Sequence, residues 1–301
     1  LPFMPEMLQF CGRRVRVQSR AHKTCDTILA SGFRQIENAV HLSDLRCNGS
    51  SHGGCQASCL LFWKNAWLRP VDESSAGGDR AVTENRAGLE ASSDAARAME
   101  TLVAATKGSE AATSEATFSC QATELRAATS ELHWWDVRQY AQDLDSRNVS
   151  RGRFVRGFLV LLLNKFQAAN RRYVPRLTLI SGGRRYPFVA GTLDGKTPQE
   201  KLNLQPGELV RIKSKEEIER TLDQNNKNRG LLFDGVMSKY CGQTARVRAR
   251  VTTIINERTG TMTHLSNECI MLEGVVCTGD YMQFCPRQIY DYWREIWLER
   301  V

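Results

Sequence analysis

Arg46–Val71 reads RCNGSSHGGCQASCLLFWKNAWLRPV, and Val276–Val301 reads VCTGDYMQFCPRQIYDYWREIWLERV. At an offset of 230 positions, Cys47 meets Cys277, Gly49 meets Gly279 and Cys55 meets Cys285. Trp63, Trp67, Leu68 and Val71 meet Trp293, Trp297, Leu298 and Val301. The match extends upstream without a gap. Phe3, Met7, Cys11, Gly12, Arg16, Val17, Arg20 and Leu42 recur as Phe233, Met237, Cys241, Gly242, Arg246, Val247, Arg250 and Leu272. Between residues 3–71 and 233–301, fifteen of 69 paired positions are identical, which marks an internal duplication.

Each copy reads alike. RRVRVQSR (13–20) and TARVRARVTTII (244–255) alternate polar and apolar side chains, as half-buried strands do. NERTGTMTHL (256–265) predicts a hairpin with Gly260 at a positive φ, and ASGF (30–33) stands in its place in the first copy. The last stretch of each copy carries apolar residues at spacings of three and four. Ile289, Tyr292, Trp293, Ile296 and Trp297 in the second copy predict an aromatic helix opening near Pro286. The tryptophans then pack against the strands.

The rest of the chain divides by composition. Residues 72–117 hold nine acids and four bases, with no aromatic residue, and read as an acidic low-complexity linker with room for an Ala-rich helix. Order resumes at 118. SELHWWDVRQYAQDL (130–144) predicts a helix capped by Ser130, and a second helix follows Asn148 or Ser150. RLTLISGGRRYPFVAG (176–191) and LNLQPGELVRIKS (202–214) read as strands around turns. Ser214 and Glu217 have capping-box spacing. The expected organisation is therefore a Cys-rich β module (1–71), a linker (72–117), a basic α+β middle (118–229) and a second β module (230–301).

Ten cysteines in 301 residues are too few for a disulfide scaffold. No export signal is visible, so a reducing, cytoplasmic setting is expected, where thiols serve as ligands, nucleophiles or core residues. Cys11, Cys47 and Cys55 have counterparts in Cys241, Cys277 and Cys285. Cys269 completes a set of four in the second copy, and Cys25 or Cys59 completes one in the first. Four thiolates suffice for zinc or an iron–sulfur cluster. Cys55 and Cys285 fall where the aromatic helices would begin, and helix N-termini favour thiolates. His52 is a further candidate ligand, but the second copy has Met282 there. The spacing matches no zinc ribbon or ferredoxin run, and buried core thiols would be duplicated as readily as ligands.

The net charge of +8 is uneven. Ser146–Leu193 carries ten bases and no acid: Arg147, Arg151, Arg153, Arg156, Lys165, Arg171, Arg172, Arg176, Arg184 and Arg185. Such a stretch attracts polyanions, nucleic acid or an acidic protein, unless it is only a solvated helix face. Phe158–Leu163 is too short an apolar run to span a bilayer. No Walker loop, HExxH or GxSxG occurs.

MLQFCGRRVRVQSR, MSKYCGQTARVRARVTTIINERTG and LQPGELVRIKS resemble strands of small SH3-like or KOW-like barrels. With HGGC and FCPR…YWREIWLERV, the two copies resemble a family of uncharacterised bacterial cysteine-rich proteins. The resemblance covers most of the chain outside the linker and implies no catalytic residues. It implies an α+β fold of two SH3-like modules, each closed by an aromatic helix, around an α+β middle. Three functions stay open. One is a zinc or iron–sulfur repeat protein that binds nucleic acid or another polyanion. The others are a bacterial biosynthetic metalloenzyme and a metal-free scaffold.

Overall fold

The computed structural model describes residues 1–29, 31–71, 93–108, 116–173 and 180–301. The fold is mixed α+β, built from small antiparallel sheets and helices. The chain forms two compact units. Unit 1 holds Leu1–Gln142 and Thr253–His264, and unit 2 holds Asp143–Thr252 and Leu265–Val301. The basic middle region is thus shared: 118–142 belongs to the first unit and 143–229 to the second.

In unit 1, β1 (Val17–Arg20), β4 (Ala39–Arg46) and β5 (Leu60–Lys64) form a three-stranded sheet in the order β1-β4-β5. A second sheet joins β2 (Lys23–Cys25), β3 (Phe33–Gln35) and β6 (Ser130–Leu132). The core beneath the first sheet contains Met4, Met7, Leu42, Leu61, Trp63 and Ile255. Helix α1 (Ser93–Thr106) lies within the segment read as linker. The other linker residues, apart from Lys107, Gly108 and Ala116–Thr117, fall outside those described.

In unit 2, β7 (Leu209–Ile212), β10 (Thr244–Ile255), β11 (Met262–Val276), β12 (Tyr290–Trp293) and β13 (Leu298–Arg300) form a sheet in the order β12-β11-β10-β7-β13. A short ladder pairs β8 (Lys227–Asn228) with β9 (Leu231–Leu232). Alternation in β10 works as expected: Val247, Val251 and Ile255, four apart, are all buried. The tip of the β10–β11 hairpin, Thr253–His264, belongs to unit 1; there Asn256 N–H bonds Thr261 O at 2.8 Å, and Gly260 has φ 74°. Helix α2 (Arg138–Asp145) starts in unit 1 and ends in unit 2, and α3 (Arg151–Tyr173), in unit 2, begins right after Ser150. Helix α4 (Lys215–Glu219) carries the expected Ser214/Glu217 capping box.

Several expectations need correction. Neither aromatic segment is a helix. Each is a strand, β5 or β12, followed by a 3₁₀ turn, Asn65–Trp67 or Glu295–Trp297. Pairing with β4 or β11 supplies backbone hydrogen bonds that a helix would have to forgo, and aromatic residues favour that setting. The turn then brings Trp297, like Trp293, into the core, so the two mimic helical spacing. Ser130 begins β6 rather than capping a helix, and the helix starts only at Arg138. Residues 176–179 of the strand expected after the basic helix lie outside the described residues, and Ile180–Gly183 is a 3₁₀ turn. Among the described residues no sheet closes into a barrel.

The same local geometry recurs 230 residues apart. Val40 pairs with Trp63 and Arg46 with Leu60; Ile270 pairs with Trp293 and Val276 with Tyr290, with the bulge in the same place. Cys47 N–H bonds Cys59 O, and Cys277 N–H bonds Ile289 O. The 3₁₀ helices Pro5–Phe10 and Gly235–Tyr240 also correspond. The long strands β10 and β11 are each broken in the first module, giving β1 with β2 and β3 with β4.

Candidate metal centre

Three side chains in unit 1 converge: Glu6, Cys47 and His52. One ligand atom from each lies within 4.8 Å of the other two, and no other such group occurs among the described residues. Glu6 sits in the 3₁₀ helix Pro5–Phe10, where Pro5 suits the first turn. Cys47 follows the last residue of β4, its amide tied to Cys59 O at 2.8 Å. His52 lies in the turn of SSHGGC, with its N–H on Gly49 O at 3.1 Å.

Glycine makes this turn possible. Gly49 has φ 71°, and a Cβ there would stand 2.0 Å from the Cys55 carbonyl oxygen. No side chain fits without moving backbone. The C-terminal end of α1 braces the same turn: Thr106 Oγ1 donates to Ser51 O at 2.6 Å.

The Cys47 thiol donates to Glu6 Oε1 at 3.0 Å and lies 3.4 Å from His52 Nε2. Ser51 Oγ donates to Glu6 Oε2 at 2.7 Å and lies 3.3 Å from His52 Nδ1. His52 Nδ1 is 4.0 Å from Glu6 Oε1, and both side chains are only 1% exposed. Burial, and then the charge of Glu6, push the Cys47 thiol far above its ordinary range. Burial pulls His52 below the usual imidazole range, against the opposing pull of Glu6.

Among the described residues no Lys or Arg side chain pairs with Glu6. A buried carboxylate without a cation is costly. A divalent ion would offset this cost directly. Thiolate and carboxylate would balance its charge, and a neutral imidazole would complete a donor set of S, O and N. That mixed set fits zinc. It does not fit an iron–sulfur cluster held by four thiolates. Cys59 is half-buried and lies outside this converging group, although its carbonyl oxygen holds the Cys47 amide.

The expected cysteine sets are not brought together. Cys11 is exposed, and its thiol reaches only Met7 O, at 4.0 Å. Cys55 is buried before β5 rather than at a helix start, and its sulfur accepts from Ile255 N–H at 3.3 Å. Cys120 lies near it, raised by burial. Cys25 is half-buried in β2. Cys241 is half-buried and pushed up to about 11 by burial. Cys269 is buried, 3.4 Å from Arg294 Nη1. Cys277 is half-buried and Cys285 buried. The second module has Val236 and Met282 in place of Glu6 and His52.

The basic residues also sort themselves. Arg151, Arg156, Arg171, Arg172, Arg184 and Arg185 are exposed. Arg153 is committed to Asp280 and Thr278 O within unit 2. Arg176 lies outside the described residues. No described helix is long and apolar enough to cross a membrane. In comparisons with known proteins, no family model, curated protein or solved structure matches the chain.

Proposed function

We propose that this chain is a metal-binding repeat protein whose first module is pinned by zinc at Glu6, Cys47 and His52, and whose basic middle region meets a polyanionic partner. The observation that carries the metal reading is the converging Glu–Cys–His group, in which Glu6 and His52 are buried and Cys47 half-buried. Its burial favours a structural ion over a catalytic one, which would need solvent and substrate to reach it. The shared register of β4–β5 and β11–β12 supports descent of the two modules from one duplicated unit. The partner reading rests on the exposed Arg151, Arg156, Arg171, Arg172, Arg184 and Arg185.

Elemental analysis of protein purified without chelator tests the metal. We expect about one zinc per chain and no acid-labile sulfide. His52→Met, which installs the residue of the second module, abolishes binding while leaving unit 2 folded. Protein that carries no metal, takes up none and is indifferent to His52→Met would sink the proposal.

A further inference from the structure

Helix α3 exposes a row of large apolar side chains. Val155 is 58% exposed, Leu159 61%, Leu162 42%, Phe166 58% and Tyr173 74%. Ala169, also exposed, completes the row. The spacing alternates four and three from 155 to 173 (Leu159, Phe166 and Tyr173 at a; Val155, Leu162 and Ala169 at d). At 100° per residue the large side chains fall within an arc of about 60°. That is the narrow seam of a coiled coil rather than the broad face of a helix laid on a sheet.

The opposite face is already used. Leu161 and Gln167 are buried. Gly157 leaves room for Phe284, whose ring a Cβ there would meet at 2.4 Å. Phe154 packs on Phe284 with centroids 5.5 Å apart, and Asn164 Oδ1 accepts from Tyr186 N–H at 2.7 Å. The helix is therefore held in unit 2 by one side while the seam faces outward.

Charge indicates the occupant. The e and g positions flanking the seam are Arg156, Phe158, Leu163, Lys165, Asn170 and Arg172. They include three bases and no acid, and no acid occurs anywhere from Ser146 to Leu193. A second copy of α3 would set like charges against each other in either orientation. Nucleic acid would satisfy the bases but leave the apolar ridge against phosphates.

We infer that α3 is one strand of a heterotypic coiled coil, and that its partner is an amphipathic helix of another protein with acidic e and g positions. The inference deepens the polyanion reading and rests on it for the role of Arg156, Lys165 and Arg172. In a coiled coil, such flanking charges set partner choice while the a and d side chains supply affinity.

The test titrates the full chain with a labelled synthetic helix bearing Leu at a and d and Glu at e and g. Polyglutamate serves as a charge-only control. The helix is expected to bind more tightly than polyglutamate, and less tightly as salt rises. Leu159→Ser with Phe166→Ser should weaken helix binding at least tenfold and leave polyglutamate binding unchanged. Both side chains are on the surface, and Leu162→Ser provides an independent variant. Helix binding that ignores these substitutions overturns the coiled coil but leaves the polyanion reading standing. No binding to either probe overturns both. Stripe-dependent binding to duplex DNA or phosphatidylserine vesicles, without binding to the helix, overturns the inference, as does a stripe-dependent dimer of the chain.

Discussion

Glu6 carries the sharpest consequence at the scale of single residues. Its charge is buried beside a neutral thiol and imidazole, so without metal it should be a burden on unit 1. Glu6→Gln is expected to raise the stability of metal-free protein at neutral pH by about 1–2 kcal/mol, because an amide is cheaper to bury than a charge. The same change should weaken zinc binding at least a hundredfold. A purely structural Glu6, held only by Ser51 and Cys47, predicts a loss of metal-free stability instead, and thermal melts with and without chelator separate the two. Titration supplies a second pair of expectations. Burial, and then the Lys23 ammonium, lower His22 to about 4. Unfolded His22 therefore binds protons that the folded form refuses, and unit 1 loses stability as pH falls from about 6.5 to 4, by up to ~3 kcal/mol. Asp291 in unit 2 has the opposite sign. Burial, and then Asp234, raise it to about 7, and its Oδ2 has no hydrogen-bond partner. Its folded state holds a proton that the unfolded chain releases near 4, so stability is lost as pH rises from about 4 to 7. Asp291 is only half-buried, so Asp291→Asn should gain about 1–2 kcal/mol at pH 8 and nothing at pH 4. Amide exchange followed in each unit across this range would show whether the two slopes differ in sign.

At the scale of elements, equivalent tryptophans do unequal work. Trp293 and Trp297 are fully buried, and Trp297 Nε1 donates to Thr221 Oγ1 at 2.9 Å. Trp67, the counterpart of Trp297, is 37% exposed and meets Phe3 edge-on at 5.2 Å. Trp297→Ala should cost about 3–5 kcal/mol, whereas Trp67→Ala should cost only about 1 kcal/mol. Equal losses in denaturant melts would contradict the burial difference. These segments also show where the sequence could be read and where it could not. Alternation identified β10, a glycine identified the hairpin at 260, and a capping box identified α4, because each signal has one local cause. The aromatic segments lacked such a cause. Spacings of three and four are satisfied by a helix, but also by a strand that ends in a 3₁₀ turn. Only pairing with β4 or β11, distant in sequence, decides between them. Of the candidate metal centre, the sequence points to Cys47 and His52 but not to Glu6. Comparing the copies draws attention to shared residues, and Cys47 is shared. Glu6 and His52 are positions where the copies differ, so the repeat pointed away from them. An acid amid the apolar run LPFMPEMLQF was the one local hint for Glu6.

For the whole molecule, that difference between copies becomes a functional asymmetry. Two modules share strand register, the 3₁₀ helix before the first strand and the glycine turn at 49 or 279. Only the first can hold an ion through Glu, Cys and His. The second has apolar Val236 and Met282 in those places and a core that includes Phe233, Met237, Trp293 and Trp297. On the proposed reading, module 2 reaches by packing what module 1 would reach with zinc, and removing the metal should act on one unit alone. Hydrogen exchange on the whole chain, with and without chelator, measures this. Chelation is expected to speed exchange at Met4–Phe10 and in the turn Gly49–Gly54, where backbone amides depend on a fixed Glu6, Cys47 and His52. The corresponding amides at Asp234–Tyr240 and Gly279–Phe284 should exchange at unchanged rates, even though their hydrogen-bond pattern is the same. Equal acceleration in both modules would place the ion elsewhere, because shared geometry without the shared ligands would then suffice to feel its loss. Unchanged exchange in both would mean that Glu6 is held by Cys47 and Ser51 alone, and that the first module stands without a metal.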